Sequence, residues 1–111
     1  MLAVREYLND RGRSPFGRWF DGLPAPAALK VRAALARIEA GDTSALKSVG
    51  KGVHEARIDF GPGYRVFLGL DGAELLILLG GSAKARQQQA IAQAQERWAD
   101  YRTRKRRGDD R

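Results

Sequence analysis

Two arginines flank a Gly-Pro-Gly turn in the stretch RIDFGPGYRVFLG, which begins at Arg57 and holds the second arginine at Arg65. Alternating apolar and polar residues on both sides of the turn predict a hairpin of two strands. If residues 61–63 form a three-residue connection, the two arginines are diagonal neighbours on one face of the hairpin. Two guanidinium groups in this arrangement can bind one phosphate, because each planar fork donates two hydrogen bonds to phosphate oxygens.

The same register also allows a purely structural role for Arg65. It places Asp59 opposite Arg65, and it places Phe67 opposite Arg57. Asp59 and Arg65 would then form an exposed ion pair, which contributes at most about 1 kcal/mol to stability. The spacing alone leaves both interpretations open.

Further cations near the hairpin favour the anion site. Lys47 and Lys51 lie in a predicted polar loop, 41–52, that leads into the hairpin, and Lys84 and Arg86 begin the last predicted helix. Cations at a helix N-terminus oppose the macrodipole, so helix stability does not explain their position. Together with the free N–H groups of the helix terminus, they would attract an anion.

His54 and Glu55 are neighbouring side chains that could move a proton. Because successive residues of a strand point to opposite faces, the two do not form an acid–base pair. His54 shares a face with Ala56 and Ile58, which favours a packed position at the end of the sheet. Glu55 shares the face of Arg57; it is the better proton acceptor of the two, or it only positions Arg57.

The composition limits the classes of protein and of site. The 111 residues carry a net charge of +7 and include no cysteine and one histidine. This excludes disulfides and thiolate metal sites and argues against zinc, so we expect no metal and no cofactor. No apolar run reaches the length of about 18 residues that a membrane span needs, and the charged N-terminus is unlike a secretory signal. We therefore expect a cytoplasmic protein without a membrane partner, whose charge favours polyanions.

Helices and strands that would position these residues can be predicted along the chain. Ser14 and Pro15 predict a helix start, and apolar residues follow at helical spacing from Phe16 to Leu23. Residues 27–40 predict a second helix that ends at Gly41. Strands are predicted over 2–8, 53–60, 64–70 and 74–81, and a final helix is predicted from Ser82 onwards.

The element order β-α-α-β-β-β-α predicts an α+β fold, an antiparallel meander sheet flanked by helices. A single domain over 1–103 accounts for the patterned part of the chain. Residues 104–111 are expected to form a frayed basic tail. The last ten residues, RTRKRRGDDR, carry +4 of the net charge.

Most of the chain resembles one protein family. Similarity to the RelE/ParE superfamily of bacterial toxins is carried by SPFGRWFDGLP, by LKSVGKGVHEARIDFGPGYRVFLG and by LLILLGGSAKARQQQAIAQAQERW. More narrowly, these stretches resemble its HigB-like, phage Gp49-like "addiction module killer" branch. The resemblance covers roughly residues 5–103 and implies a compact RelE-like fold.

The resemblance implies the toxin of a type II toxin–antitoxin system. The members of the family with nuclease activity are metal-free, ribosome-dependent mRNA endonucleases, or mRNA interferases, that inhibit translation, and this activity is expected here. Its expected partners are the ribosome with its mRNA and a cognate antitoxin of the helix-turn-helix type, through which alone operator DNA would be bound. Arg65 matches the arginine of the family's Gly-x-Tyr-Arg-Val strand, and Arg57 matches the one in the preceding strand. Lys84 and Arg86 match the basic cluster after the last strand.

The expected chemistry assigns a role to each of these residues. Metal-free RNA cleavage activates a ribose 2′-OH to attack its own phosphate in line, and it leaves a 2′,3′-cyclic phosphate. Arg57 and Arg65 suit stabilisation of the phosphorane, and Lys84 or Arg86 suits the leaving oxygen. Lys51 is a weak candidate for the base. The candidate catalytic residues are Arg57, Arg65, Lys84, Arg86 and Glu55, and the candidate RNA-binding residues are Lys47, Lys51, Arg57, Arg65, Lys84 and Arg86.

Two other functions fit the same residues. A ParE-like inhibitor of DNA gyrase would bind a protein and would need no cluster that stabilises a phosphorane. A plain nucleic-acid-binding module, with the basic tail as its arm, would bind RNA without cutting it. RNA ends that carry a cyclic phosphate would separate the endonuclease from both.

Overall fold

The protein is described by a computed structural model that covers residues 2–108. A five-stranded sheet carries helices on both faces. The strands are β1 (Ala3–Glu6), β2 (Lys47–Gly50), β3 (Val53–Ile58), β4 (Tyr64–Asp71) and β5 (Leu75–Ala83). The helices are α1 (Pro15–Asp21), α2 (Ala25–Glu39) and α3 (Gln87–Arg106), and a 3-10 turn (Lys84–Arg86) precedes α3.

The strand order in the sheet is β1-β5-β4-β3-β2. Strands β2 to β5 form an antiparallel meander, whereas β1 pairs in parallel with β5. The predicted α+β class is confirmed. The prediction of a wholly antiparallel sheet is wrong, because α1, α2 and the meander separate β1 from β5 along the chain. Such a long connection can bring a strand back in parallel.

The predicted loop 41–52 contains the extra strand β2. This strand, KSVG, is mostly exposed and lies at an edge of the sheet. An edge strand of polar residues and glycine lacks the alternating pattern that identifies a strand in the sequence. The prediction of a loop at 47–50 is therefore wrong.

Local signals explain both ends of the first helical segment. The Ser14 Oγ accepts a hydrogen bond of 2.9 Å from the Gly17 N–H, and Pro15 occupies the first turn of α1, as predicted. At the end of α2, Gly41 adopts φ 104°. The N–H groups of Gly41 and Asp42 donate to the carbonyls of Ile38 and Arg37, which is a Schellman motif.

Two apolar layers hold the helices on the sheet. Helices α1 and α2 cover one face, against alternate residues of the central strands that include Ala56, Ile58, Val66 and Leu78. Helix α3 covers the opposite face through Ala94 and Trp98, which pack with Phe67, Ile77 and Leu79. Because β4 and β5 are covered on both sides, their residues are apolar in both phases of the alternation.

Polar contacts also attach α3 to the rest of the molecule. The Tyr7 hydroxyl donates to Asp100 at 2.6 Å, and the Tyr101 hydroxyl donates to Asp71 at 2.7 Å. Helix α3 continues to Arg106, so the stretch predicted as a tail, 104–111, begins inside this helix. Residues 109–111 of that stretch lie outside the described residues. Among residues 2–108, no helix is long and apolar enough to span a bilayer.

Candidate functional site

The β3–β4 hairpin places the two arginines directly opposite each other. Five residues, 59–63, connect the strands, so that Arg57 pairs with Arg65 across the hairpin. The turn is closed by a hydrogen bond of 3.0 Å from the Gly63 N–H to the Phe60 carbonyl. Side chains directly opposite on neighbouring strands have Cβ atoms about 5 Å apart. The arginines are therefore closer together than the predicted diagonal arrangement.

The longer turn overturns the predicted partners of both arginines. Asp59 lies in the connection after the end of β3, so the predicted Asp59–Arg65 cross-strand pair is wrong. Phe67 pairs with Glu55 rather than with Arg57. The sequence suggested a three-residue turn because the apolar alternation continues through Phe60, but Phe60 is already in the turn.

Arg65 is a buried arginine on the face covered by α3, with only 3% of its surface exposed. Its Nη1 donates to the Tyr64 carbonyl at 3.0 Å, and its Nε lies 3.9 Å from the Glu55 Oε1. Among the described residues, the Nε has no hydrogen-bond partner. Both arginines lie opposite the aliphatic stripe, as predicted, but only Arg57 is exposed.

Glu55 is a buried carboxylate held between two partners. It is 2% exposed, and its Oε1 accepts a hydrogen bond of 2.7 Å from the Gln87 amide at the start of α3. The same oxygen faces the Arg65 guanidinium. A buried charge is stable only when it is paired and hydrogen-bonded. The geometry therefore gives Glu55 a positioning role, and the arginine it positions is Arg65 rather than Arg57.

Lys84 is brought to the hairpin by a backbone contact. Its N–H donates to the Gly63 carbonyl at 3.0 Å, which ties the 3-10 turn after β5 to the arginine hairpin. A Cβ atom at Gly63 would lie 3.5 Å from the Lys84 Cβ and 4.0 Å from the Arg65 Nη1. Lys84 is exposed and lines a shallow cavity of about 330 Å³ with residues 59–63. Lys84 and Arg65 thus approach the same glycine.

Two of the other predicted cations lie in β2 and in the turn that follows it. Lys47 pairs with Glu55 across β2 and β3 and is exposed. Lys51 is at the tip of the β2–β3 connection, at φ 56°. Four residues of strand separate that end of β3 from Arg57, which corresponds to roughly 13 Å. Lys51 therefore lies apart from the arginines.

Arg86 is exposed in the 3-10 turn and lines a different cavity from Lys84. It shares that cavity with Trp19, Ser82 and Gln93. Of the six cations predicted to bind RNA, the structure thus associates Arg57, Lys84 and the buried Arg65 with the hairpin.

Ser82 is a neighbour of Arg65 that the sequence did not assign to the site. The last helix was predicted to start at Ser82, but Ser82 lies inside β5 and pairs with Arg65 across the sheet. It is 7% exposed, and its Oγ has no hydrogen-bond partner among the described residues. A serine after an apolar run is typical of a helix cap, so the sequence carried no signal for this position.

His54 is half-buried and pairs with Leu68 on the face opposite the arginines. Its Nδ1 is buried and lacks a hydrogen-bond partner within residues 2–108. The position near the start of β3 agrees with the predicted place at the end of the sheet, but the side chain is only partly packed and lines a cavity with Trp98 and Tyr101. Within the same residues, no group of three or more His, Cys, Asp or Glu side chains could hold a metal ion.

Comparison with known proteins shows a relative of this chain. No family model matches the chain. A Haemophilus influenzae protein, described only as an uncharacterized protein, is 40% identical over 80 residues, which is 71% of this chain and 81% of the relative. The chain belongs to the family of this Haemophilus protein. The description of that relative states no activity.

Proposed function

We propose that this protein is the toxin of a type II toxin–antitoxin system, a HigB-like member of the RelE/ParE superfamily. Its activity in this proposal is metal-free, ribosome-dependent cleavage of mRNA, which inhibits translation in the cytoplasm. Its partners are the ribosome with its mRNA and a cognate helix-turn-helix antitoxin. The sequence motifs around Arg57, Arg65 and Lys84 support the family, and the mixed sheet with helices on both faces is compatible with it.

The direct pairing of Arg57 with Arg65 carries the proposal. Like charges directly opposite on neighbouring strands are destabilising, so stability does not explain this pair. Lys84 adds a third cation through the backbone contact with Gly63. Cations that accumulate against folding stability indicate a polyanionic ligand.

In this proposal the exposed arginine and the buried arginine have different roles. Arg57 is exposed and binds the phosphate that is cleaved, while Lys84 at the rim of the turn stabilises the leaving oxygen. Arg65 is buried beneath the surface, adds positive electrostatic potential to the phosphate site, and is oriented by Glu55. In the reaction, the ribose 2′-oxygen passes its proton to a water molecule and forms a bond to phosphorus. The bond from phosphorus to the 5′-oxygen breaks, and that oxygen takes up a proton from water.

Expression of the chain alone, and together with an adjacent open reading frame for a helix-turn-helix protein, tests the proposal. We expect growth arrest that the neighbour relieves, and mRNA cuts at ribosome-dependent positions with 2′,3′-cyclic phosphate ends. Arg57→Ala should lower cleavage by about 100-fold, the usual effect of removing one preorganised donor. Arg37→Ala, which removes an exposed arginine from α2, is the control. Growth arrest without cleaved mRNA would contradict the proposal.

A second candidate is a ParE-like inhibitor of DNA gyrase, and the burial of Arg65 favours it. An arginine that is 3% exposed and faces its own carboxylate contacts a phosphate less readily than a free one. An inhibitor that binds a protein does not need such a contact. Inhibition of DNA supercoiling by the purified protein, with Arg57→Ala still active, would support this candidate over the endonuclease.

A further inference from the structure

A basic groove runs along β5 beyond the end of β1. Because β1 pairs with β5 only at residues 75–78, the stretch 79–83 borders a groove between α1 and α3. The first part of this groove is a cavity of about 550 Å³. A second cavity of about 320 Å³ continues it and shares Trp19, Gly81 and Gln93 with the first. We call both parts together the β5-edge groove.

Arginines dominate the first part of the β5-edge groove. Arg11, Arg13 and Arg18 are exposed along one wall, and Arg97 from α3 is half-buried on the other. Asp10 is the acidic residue among the described residues that line this part. None of the three exposed arginines forms an ion pair with another residue of 2–108. The groove therefore holds a net positive charge that the fold does not neutralise.

Arg97 is fixed in place by the backbone of β5. Its Nη1 donates to the Leu79 carbonyl at 2.9 Å, and a Cβ atom at Gly80 would lie only 2.6 Å from that nitrogen. Burial lowers the pKa of the Arg97 guanidinium from its ordinary value, which means that keeping a charged group at this position costs folding free energy. The remaining donors of the fork are available to a ligand in the groove.

An aromatic ring and amides accompany the arginines. Trp19 packs on Gly81 and against Phe16 and Tyr64, and the part of its ring that stays exposed lines both parts of the groove, while Gln89 and Gln93 are exposed on the α3 wall. Cations that track a backbone, together with an aromatic face that can stack a base, are typical of sites for single-stranded nucleic acid. Amide side chains can hydrogen-bond base edges. An acidic protein segment would need the cations but not the ring.

The far end of the β5-edge groove lies along β5, the strand that pairs with the arginine hairpin. Ser82 lines its second part and pairs with Arg65 across the sheet, and its buried Oγ has no partner among the described residues. Arg86 lines the same end and is two residues from Lys84. A strand lying in the groove would therefore lead towards Arg57 and Lys84.

We propose that the β5-edge groove binds single-stranded RNA, as the continuation of the strand whose phosphate lies at Arg57 and Lys84. The inference rests on the proposed function for the choice of RNA as the ligand. It adds a binding surface made of Arg11, Arg13, Arg18, Trp19, Gln93 and Arg97, none of which is among the catalytic or RNA-binding residues predicted from the sequence.

Fluorescence anisotropy with the full chain tests the groove. The probe is a labelled 2′-O-methyl oligoribonucleotide of about 12 nucleotides, a length within the range of single-strand sites. It lacks the attacking hydroxyl, so binding is measured whether or not the protein is a nuclease. Arg13→Gln/Arg18→Gln should weaken binding by about 10-fold. It should also reduce the slope of log K against log salt by about 1.4, because each arginine that binds a phosphate of a single strand contributes about 0.7 to that slope.

Arg32→Gln/Arg37→Gln is the matched control, because it removes two exposed arginines from α2 and changes the net charge equally. Equal binding of the oligoribonucleotide by the two double variants would overturn the proposal that the groove binds RNA. Binding of the 12-mer no tighter than that of a dinucleotide would also overturn it. If the groove variant loses affinity for polyglutamate but not for the oligoribonucleotide, the occupant is an acidic protein segment and the RNA proposal is wrong.

The two proposals fail separately. If Arg57→Ala leaves mRNA cleavage unchanged while the groove variant loses affinity for the oligoribonucleotide, the catalytic assignment is wrong and the groove stands. If the groove variant binds like its control while Arg57→Ala abolishes cleavage, the nuclease stands and the groove proposal is wrong.

Discussion

At the scale of single residues, the main feature is a buried arginine whose hydrogen-bond donors are only partly paired. Arg65 faces Glu55 at 3.9 Å, beyond hydrogen-bond distance, and its Nε and the Oγ of Ser82 lack partners among the described residues. Buried polar atoms without partners are costly and often mark functional positions. The pairing of these two residues across β4 and β5 concentrates both atoms beside the candidate site.

Removal of the Glu55 charge tests how much the buried arginine depends on it. Glu55→Gln keeps an oxygen for the Gln87 amide but leaves Arg65 without a counter-charge. Breaking a buried ion pair from one side costs about 3–5 kcal/mol, and the long separation here points to about 3 kcal/mol. The free energy of unfolding, measured with urea, checks this. Glu74→Gln in an exposed turn should change it by less than about 0.5 kcal/mol, and equal effects of the two substitutions would contradict the role of Glu55.

Ser82→Ala tests the orphaned hydroxyl. Since the Oγ makes no hydrogen bond to a described residue, its removal takes away a desolvation cost and no bond. We expect the free energy of unfolding in urea to stay the same or to rise by up to about 1 kcal/mol. A clear loss of stability would mean that the hydroxyl is bonded within the free protein.

At the scale of elements, two tryptophans seat helices on glycines of the sheet. Trp19 of α1 packs on Gly81, and Trp98 of α3 packs on Gly69. A Cβ atom would lie 2.3 Å from the Trp19 ring at Gly81 and 2.5 Å from the Trp98 ring at Gly69. The absence of a side chain at these two positions of β4 and β5 therefore fixes how closely both helices approach the sheet.

Gly81→Ala should separate α1 from β5. Overpacking costs about 1–3 kcal/mol, and we expect a loss in this range together with a changed near-ultraviolet circular dichroism signal from Trp19. Gly22→Ala is the control, because Gly22 has φ −86° and the nearest atom to a new Cβ would be at an ordinary 3.6 Å. That control should be neutral or slightly stabilising. A Gly81→Ala protein as stable as the control would show that the missing side chain at Gly81 does not set the distance between α1 and β5.

At the scale of the whole molecule, α3 is attached to the sheet by two buried tyrosines as well as by apolar packing. Burial, reinforced by the hydrogen bond to Asp100, raises the pKa of Tyr7 to about 12. Burial and the hydrogen bond to Asp71 likewise raise the pKa of Tyr101 to about 12. Both hydroxyls must be protonated to donate, so the docking of α3 depends on pH.

Alkaline pH should therefore destabilise the fold. The folded-state pKa of each tyrosine lies above the unfolded value of about 10, so their stabilisation is complete below about pH 10 and is lost as the pH rises towards 12. The free energy of unfolding should fall across this interval. The tyrosinate absorbance of both residues should appear at a higher pH than that of a tyrosine with an ordinary pKa. Tyr7→Phe/Tyr101→Phe should show a smaller fall. An equal fall in the double variant would contradict the assignment.

The sequence by itself determined the helices, the central strands and the pair of arginines on one face of a hairpin. These features are local, because capping residues, helical spacing and strand alternation act within a few residues. Ser14, Gly41 and the apolar run of β5 all lie where the pattern predicts.

Only the tertiary structure decided how those elements meet. The parallel pairing of β1, the exposed strand β2, the five-residue turn and the burial of Arg65 under α3 depend on contacts between residues distant in the chain. The β5-edge groove is the clearest case, since its arginines come from the segment around α1 and from α3 and share no motif. A pattern in the sequence reports which face of an element is apolar, whereas the partner of that face is chosen by packing of the whole chain.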